Sequence, residues 1–259
     1  MGERIIFYTL HRSGSTYAHE VCRAITRLCG IKYYSPNRGA DEQVTARQLA
    51  EDRSFWPGRD GCFGPLRFFM PIEPAETDKI ILHLRDPRDV LTSMFFSYCF
   101  YHSGEVPPAT GYRKEVADRG IDEFVLSLAT AKESPVVGDY GTGCHLWPIA
   151  GNLHNRYRQY LDHLVGRANV VTLRYEEMIA DPAAWLRKVA SVFSAMEADS
   201  IVAGLGDSCR GAAKPEADDI WSHKRHVTPG DHKEKLKPAT IGTLNDVFHD
   251  VLKAFDYQF

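Results

Sequence analysis

Two short segments carry side chains able to hold an anionic ligand. The first is His11-Arg12-Ser13-Gly14-Ser15-Thr16-Tyr17. It follows the apolar run Arg4–Leu10 and opens a helix-like stretch, Thr16–Leu28. A glycine-containing loop between strand and helix turns free backbone N–H groups onto one anion, and the helix dipole adds positive potential. Ser13, Ser15 and Thr16 offer hydroxyl donors, Gly14 allows close backbone approach, and Arg12 adds a permanent charge with a planar donor fork. The G-x-x-x-x-G-K-[ST] pattern of ATP-binding loops is absent, which weighs against a nucleotide kinase. A serine-capped helix after a strand is the plainer reading of the same residues.

The second segment is Arg85-Asp86-Pro87-Arg88-Asp89-Val90, with Ser93 eight residues after Arg85. Asp86 reads as a helix N-cap, Pro87 suits the first helical position, and Asp89 completes a pattern like a capping box. Arg85 is left at a strand's end, and Ser93 lies about two helical turns further on, able to face the helix entry. Together they suit a second phosphate. Arg88 reads as a solvated charge at the helix start.

The elements that must position these loops are short, apolar and without alternation, as buried parallel strands are. They are Arg4–Leu10, Lys79–Leu84 and Asn169–Leu173, with Ile31–Tyr34 a weaker fourth. Helix-like stretches follow at Thr16–Leu28, Arg88–His102 and Pro182–Phe193, and two more run over Leu146–Leu164 and Leu244–Phe255. Ser134–Gly143 reads as a surface loop. Strands alternating with helices predict an α/β fold, a parallel sheet flanked by helices, with ligands outside the strands' carboxyl ends. No composition shift marks a linker, so one domain over residues 1–259 is expected.

The two loops together resemble those of sulfotransferases that use 3′-phosphoadenosine 5′-phosphosulfate (PAPS). Arg12-Ser13-Gly14-Ser15-Thr16 is similar to the family's 5′-phosphosulfate loop, (K/R)-S-G-(T/S)-T. Arg85, Arg88, Asp89, Val90 and Ser93 occupy every fixed position of its 3′-phosphate element, R-x-x-(K/R)-D-V-x-x-S. Tyr175-Glu176-Glu177-Met178 looks like Y-E-D-(L/M), and the resemblance puts Tyr175 against the adenine. Arg225-His226-Val227-Thr228-Pro229-Gly230-Asp231-His232-Lys233 is similar to R-K-G-x-x-G-D-W-K, departing at His226, Val227 and His232. It implies Arg225 closing over the 3′-phosphate, with His226 beside it. Tyr17 fills a slot where cytosolic members often carry Trp and is suited to stack on adenine.

The resemblance implies transfer of a sulfuryl group to a hydroxyl or amine of a small molecule by in-line displacement, without a metal. Arg12 is the first candidate to stabilise the charge that builds up, acting electrostatically because a guanidinium does not release its proton. Small-molecule members take their base from a T-H-(L/F)-P segment, but the corresponding stretch here, Cys62-Phe63-Gly64-Pro65, has no histidine. Glu42 is then the first candidate base and His11 the second. A helix-start carboxylate and a histidine bonded to the loop backbone are their plainer readings. The missing histidine also feeds a rival reading, a nucleotide-binding regulator without catalysis. Phe63, Phe68, Phe69, Phe95, Phe96, Tyr98, Phe100 and Tyr101 cluster around the second loop; most read as core, and some suit a pocket for an apolar or phenolic acceptor. His145, His154 and His223 are further candidates to line it.

Composition is consistent with this reading. The 259 residues are 44% hydrophobic and 25% charged, an ordinary globular balance. A net charge of −3 argues against a nucleic-acid or membrane-surface partner, which calls for a basic excess. No apolar run approaches the ~18 residues of a membrane span, and the start does not read as a signal peptide. The six cysteines form no C-x-x-C pair and no zinc-ligand spacing, so they read as reduced thiols in a cytoplasmic protein.

Overall fold

The computed structural model describes residues 4–35, 61–67, 69, 76–101, 109–130, 153–194, 196–206, 209, 220 and 227–259. The surface loop expected at 134–143 lies outside them, as do Glu42, Cys144, Arg225 and His226. The chain divides into two compact units, Met1–Leu84 with Gln159–Ala212, and Arg85–Arg158 with Ala213–Phe259.

The first unit holds a sheet of five parallel strands: β1 (Arg4–Tyr8), β2 (Lys32–Tyr34), β3 (Gly61–Leu66), β4 (Lys79–Leu84) and β5 (Val170–Arg174). Their spatial order is β2-β3-β1-β4-β5, and every pairing is parallel. Helices α1 (Ser15–Leu28), α6 (Tyr175–Ala180), α7 (Pro182–Phe193) and α8 (Ala198–Gly204) belong to the same unit. Side chains alternate across a strand, so Ile5 and Phe7 of β1 share one face. They join Val21 and Ile25 of α1 and Trp185 and Val189 of α7 in one apolar core. On the other face Tyr8 packs its ring 5.9 Å from that of Tyr160 and 6.0 Å from that of Phe69. This is the two-faced burial that unalternated apolar strands require.

Strand β3 was not among the expected strands. Its sequence, Gly-Cys-Phe-Gly-Pro-Leu, lacks β-branched residues and contains a proline, yet it lies between β2 and β1 and is buried throughout. The ladder accommodates it with an irregularity: Ile6 pairs with Phe63 but Tyr8 with Leu66. Gly64 permits this approach, because a Cβ there would sit 2.4 Å from the Phe7 carbonyl oxygen.

The second unit is helical: α2 (Pro87–Phe96) runs into a π-helical turn (Ser97–Tyr101), then come α3 (Gly111–Arg119) and α4 (Ile121–Thr130). Between the units in sequence runs α5 (Leu153–His163), and the chain ends with α9 (Asp231–Lys235), α10 (Pro238–Val247) and α11 (His249–Ala254). The stretch expected as one helix over 244–255 is broken at Phe248. Phe95 and Tyr98 meet the Phe124 ring at 5.5 and 6.0 Å, so these aromatics fill this unit's interior.

Candidate functional site

The loop after β1 is shaped by two left-handed residues, Arg12 (φ 62°) and Gly14 (φ 77°). Gly14 caps α1 without a side-chain bond, and the first intrahelical bond runs from the Ala18 N–H to the Gly14 carbonyl, 3.0 Å. The N–H groups of Ser15, Thr16 and Tyr17 therefore have no intrahelical acceptor. Ser13 is fully buried, and its hydroxyl has no hydrogen-bond partner among the described residues. A buried hydroxyl at the mouth of a helix N-terminus suits an anion. Arg12 and His11 are half-buried and Thr16 is exposed.

Gly14 is conformationally suited, and the space around it is tight. A Cβ there would lie 3.0 Å from Met178 Cε and 3.3 Å from Tyr175 Cδ2. The structure thus brings Tyr175, predicted from a distant motif, against the first loop. Tyr17 also lies there; its hydroxyl donates to the Cys209 carbonyl at 2.6 Å, and its ring centroid is 5.7 Å from that of Trp185. Burial pushes its hydroxyl up to about 12, so it stays a donor.

Behind the loop stands His83 of β4, fully buried. Its Nδ1 is 3.2 Å from Trp185 Nε1, and indole N–H only donates, so Nδ1 accepts. The ring proton therefore sits on Nε2 and is donated to the Ser13 carbonyl at 2.9 Å. Burial pushes the His83 pKa down to about 4, which keeps the ring neutral at physiological pH.

The second loop is described within its own unit. Arg85 directly follows Leu84 of β4 and is buried; its backbone carbonyl accepts from the Tyr157 hydroxyl. Its guanidinium lies 3.6 Å from the Asp89 carboxylate. Asp86 caps α2 as expected, accepting from the Arg88 N–H at 2.9 Å, and Pro87 takes the first helical position. Asp89 does not close a capping box. It accepts instead from Gly230 N–H at 2.7 Å, His232 N–H at 3.0 Å and His232 Nδ1 at 2.6 Å. Burial alone would raise the Asp89 carboxyl, but His232 and Arg85 outweigh it and hold it well below the usual carboxylate range. Ser93 is buried one turn beyond Asp89, on the same face of α2.

Arg88 is a correction. It is 1% exposed, not solvated. Its guanidinium donates to both Asp86 carboxylate oxygens at 3.0 and 2.6 Å, to Asn245 Oδ1 at 2.7 Å and to the Gln258 carbonyl at 2.6 Å. A buried guanidinium is tolerable only when nearly all of its N–H groups are paired in this way.

Sequence reasoning missed a cavity of about 150 Å³ beside the first loop. Ser15, Thr16, His19 and Glu20 of α1 line it, with Pro65 and Arg67 at the end of β3. The three- and four-residue spacing of these α1 residues was the available signal. The His19 ring is held through Nδ1, 2.7 Å from the Tyr33 hydroxyl and 3.2 Å from Ser35 Oγ. His154 pairs with Asp250 at 3.1 Å, whereas His145, His223 and Phe68 lie outside the described residues. Among the described residues, no group of three His, Cys, Asp or Glu is placed to share a metal ion, and no helix is long and apolar enough to cross a membrane.

Comparison with known proteins identifies a family and a fold. Residues 71–256 match the sequence model of the sulfotransferase domain. No curated protein matches the chain closely enough to be counted a relative. Among solved structures, the chain is similar to a mouse sulfotransferase, SULT7A1, complexed with PAP. The TM-score is 0.58 and identity 17%, over 96% of this chain and 84% of that one. It is also similar to a retinol dehydratase in complex with androsterone and inactive cofactor PAP. Here the TM-score is 0.51 and identity 13%, over 99% and 82%. At these identities the likeness is one of fold.

Proposed function

The chain belongs to the sulfotransferase domain family, and from that premise we propose that it moves a sulfuryl group from PAPS to a hydroxyl or amine of a small acceptor. The observation that carries this reading is the first loop: helix-start N–H groups with no intrahelical acceptor, a buried Ser13 hydroxyl with no partner among the described residues, and a left-handed glycine closely packed against Tyr175 and Met178. PAPS when bound supplies an activated sulfuryl group whose S–O bond to phosphate breaks as the acceptor's bond to sulfur forms.

The chain's own residues do the rest. The N–H groups of Ser15 and Thr16 with the Ser13 hydroxyl hold the 5′-phosphosulfate, and Arg12 offsets the negative charge growing on the departing phosphate oxygen. Arg85 and Ser93 hold the 3′-phosphate, with Arg225 and His226 supplementing them. Tyr175 and Tyr17 flank the adenine. The proton leaving the acceptor passes to Glu42, with His11 the second candidate. The whole chain, 1–259, serves as one sulfotransferase domain. Six of the seven residues lining the cavity beside Thr16 are polar or charged, which supports an acceptor that carries hydrogen-bonding groups over a purely apolar one. The described cysteines are all free thiols, as suits a reducing compartment such as the cytoplasm.

The test is incubation with labelled PAPS and a panel of phenols, alcohols and amines. Labelled product supports the proposal; tight PAP binding with no transfer to any acceptor favours a regulator instead. Arg12→Ala is expected to abolish transfer, and retained turnover removes Arg12 from the mechanism. Arg85→Ala is expected to weaken PAPS far more than its analogue lacking the 3′-phosphate. An unchanged affinity ratio defeats that assignment.

A further inference from the structure

His83 lies outside every motif that points to nucleotide binding, yet it contacts the centre of the first loop. We infer that His83 is a positioning residue for the sulfuryl-donor site, a neutral strut of one fixed tautomer that orients the Ser13–Gly14 peptide toward the anion. The inference rests on the proposed function and adds to it a residue from the middle of the sheet.

The geometry carries it in three steps. Trp185 Nε1 donates to His83 Nδ1 at 3.2 Å, and an indole has no other role available, so Nε2 must bear the proton. That proton goes to the Ser13 carbonyl at 2.9 Å. In a trans peptide the carbonyl and the next N–H point in opposite directions, so fixing the Ser13 carbonyl toward the sheet turns the Gly14 N–H away from it. A carbonyl that accepts a hydrogen bond also polarises its own peptide, which makes that N–H a better donor.

Alternative side chains show why an imidazole is used. A lysine or arginine here would bury a charge, and a leucine would leave the Ser13 carbonyl and the Trp185 N–H both unsatisfied. The ring spans two groups, one donating and one accepting, along a line from α7 through β4 to the loop. His83 and Trp185 meet edge to face, 5.4 Å between centroids at 82°, and Phe7 packs 6.3 Å from the imidazole. Both flanking aromatics are themselves buried, so the ring is enclosed on these sides.

The experiment measures calorimetric affinity for PAP and for 3′-phosphoadenosine, which lacks the 5′-phosphate, in the full-length protein and in His83→Leu, His83→Gln and Trp185→Phe. His83→Leu is expected to weaken PAP at least tenfold and to change 3′-phosphoadenosine less than twofold. His83→Gln, whose amide can donate and accept in the same directions, is expected to recover most of the PAP affinity. Trp185→Phe is expected to weaken PAP in the wild-type background and to add nothing to His83→Leu. Equal weakening of both nucleotides, or none of either, overturns the inference and leaves the sulfotransferase reading standing. Should His83→Leu not fold, His83→Gln and Trp185→Phe still decide it through the ratio of the two affinities. Hydrogen exchange of residues 12–17 in the unliganded protein provides a readout independent of nucleotide. Exchange at least tenfold faster in Trp185→Phe, with β1 unchanged, is expected; unchanged exchange counts against the strut. If the wild-type protein binds neither nucleotide, the proposed function fails, and the exchange result alone judges whether His83 holds the loop.

Discussion

Acid should weaken this protein through His83, and the size of the effect follows from its surroundings. The ring is fully buried, its Nδ1 already receives the Trp185 N–H, and burial puts its folded pKa at about 4 against an ordinary value of 6.5. Protonation in the folded state would set two donors against each other. The unfolded chain therefore takes up the proton first as pH falls. The stability that depends on a neutral ring is complete above about 6.5 and is lost as pH drops toward 4. A gap of this size at ~1.4 kcal/mol per pH unit corresponds to about 3 kcal/mol. The assay is equilibrium urea unfolding at pH 7, 6, 5 and 4 for the wild type and for His83→Gln, which fills the site with a group that does not titrate. Other acid-sensitive groups, Asp89 among them, are common to both proteins and cancel in the difference. The wild type is expected to lose about 3 kcal/mol more than His83→Gln between pH 7 and pH 4. Parallel curves for the two proteins would refute the reasoning, because a ring that titrates normally has no unfavourable proton to take up.

Three further perturbations test the packing of the loops. Gly14→Ala forces a left-handed backbone on a residue with a Cβ and presses it within 3.0 Å of Met178 Cε. A loss of about 1–2 kcal/mol and a Tm lower by several degrees are expected, so an unchanged Tm contradicts the geometry. Asp89→Asn removes the carboxylate shared by Gly230, His232 and Arg85. Denaturant titration should show a loss of about 3 kcal/mol or more, since the buried Arg85 and His232 lose the Asp89 charge. Arg88→Leu removes the buried charge paired with Asp86 and the donor to the Gln258 carbonyl and should cost a similar ~3 kcal/mol. Arg88→Leu at near-wild-type stability would restore the reading of Arg88 as a surface charge.

Parts of the fold were legible because local chemistry decided them. Strand β4 was readable at both ends, its apolar run bounded by Lys79 and Arg85, and helix α7 was readable from Asp181 and Pro182, a cap that forms with the Ala184 N–H. Strand β3 was not legible, because its place in the sheet depends on Gly64 fitting against the Phe7 backbone and not on any strand-favouring residue. Arg88 was misread for a related reason. Two of its partners, Asn245 and Gln258, are 157 and 170 residues away in sequence, and no local pattern announces them. The cavity beside α1 was half legible: the α1 residues have helical spacing, but Arg67 joins them only through β3.

The second loop shows how a motif can overstate the charge it offers to a ligand. Counted as sequence, Arg85 and Arg88 are two cations at the end of one strand. In the structure Arg88 is spent on Asp86 and on the carboxyl-terminal segment, so its charge is neutralised by its nearest neighbour and its donors are occupied. Asp89 likewise faces inward, joining the start of α2 to Gly230 and His232, the stretch that follows the Arg225 segment in sequence. The fixed positions of the motif thus divide by task. Arg88 and Asp89 hold the helix start and the later segment in place, which leaves Arg85 and Ser93 as the proposed contacts to the ligand. The same division holds at the first loop, where Gly14 and the buried His83–Trp185 pair shape a backbone that the hydroxyls of Ser13, Ser15 and Thr16 then furnish. In both loops, buried and hydrogen-bonded side chains, His83 at the first and Asp89 at the second, fix the backbone beside the groups proposed for the anion. This is the arrangement electrostatic preorganisation requires: the donors must already be aimed before charge develops, because turning them during the reaction would consume the stabilisation they provide.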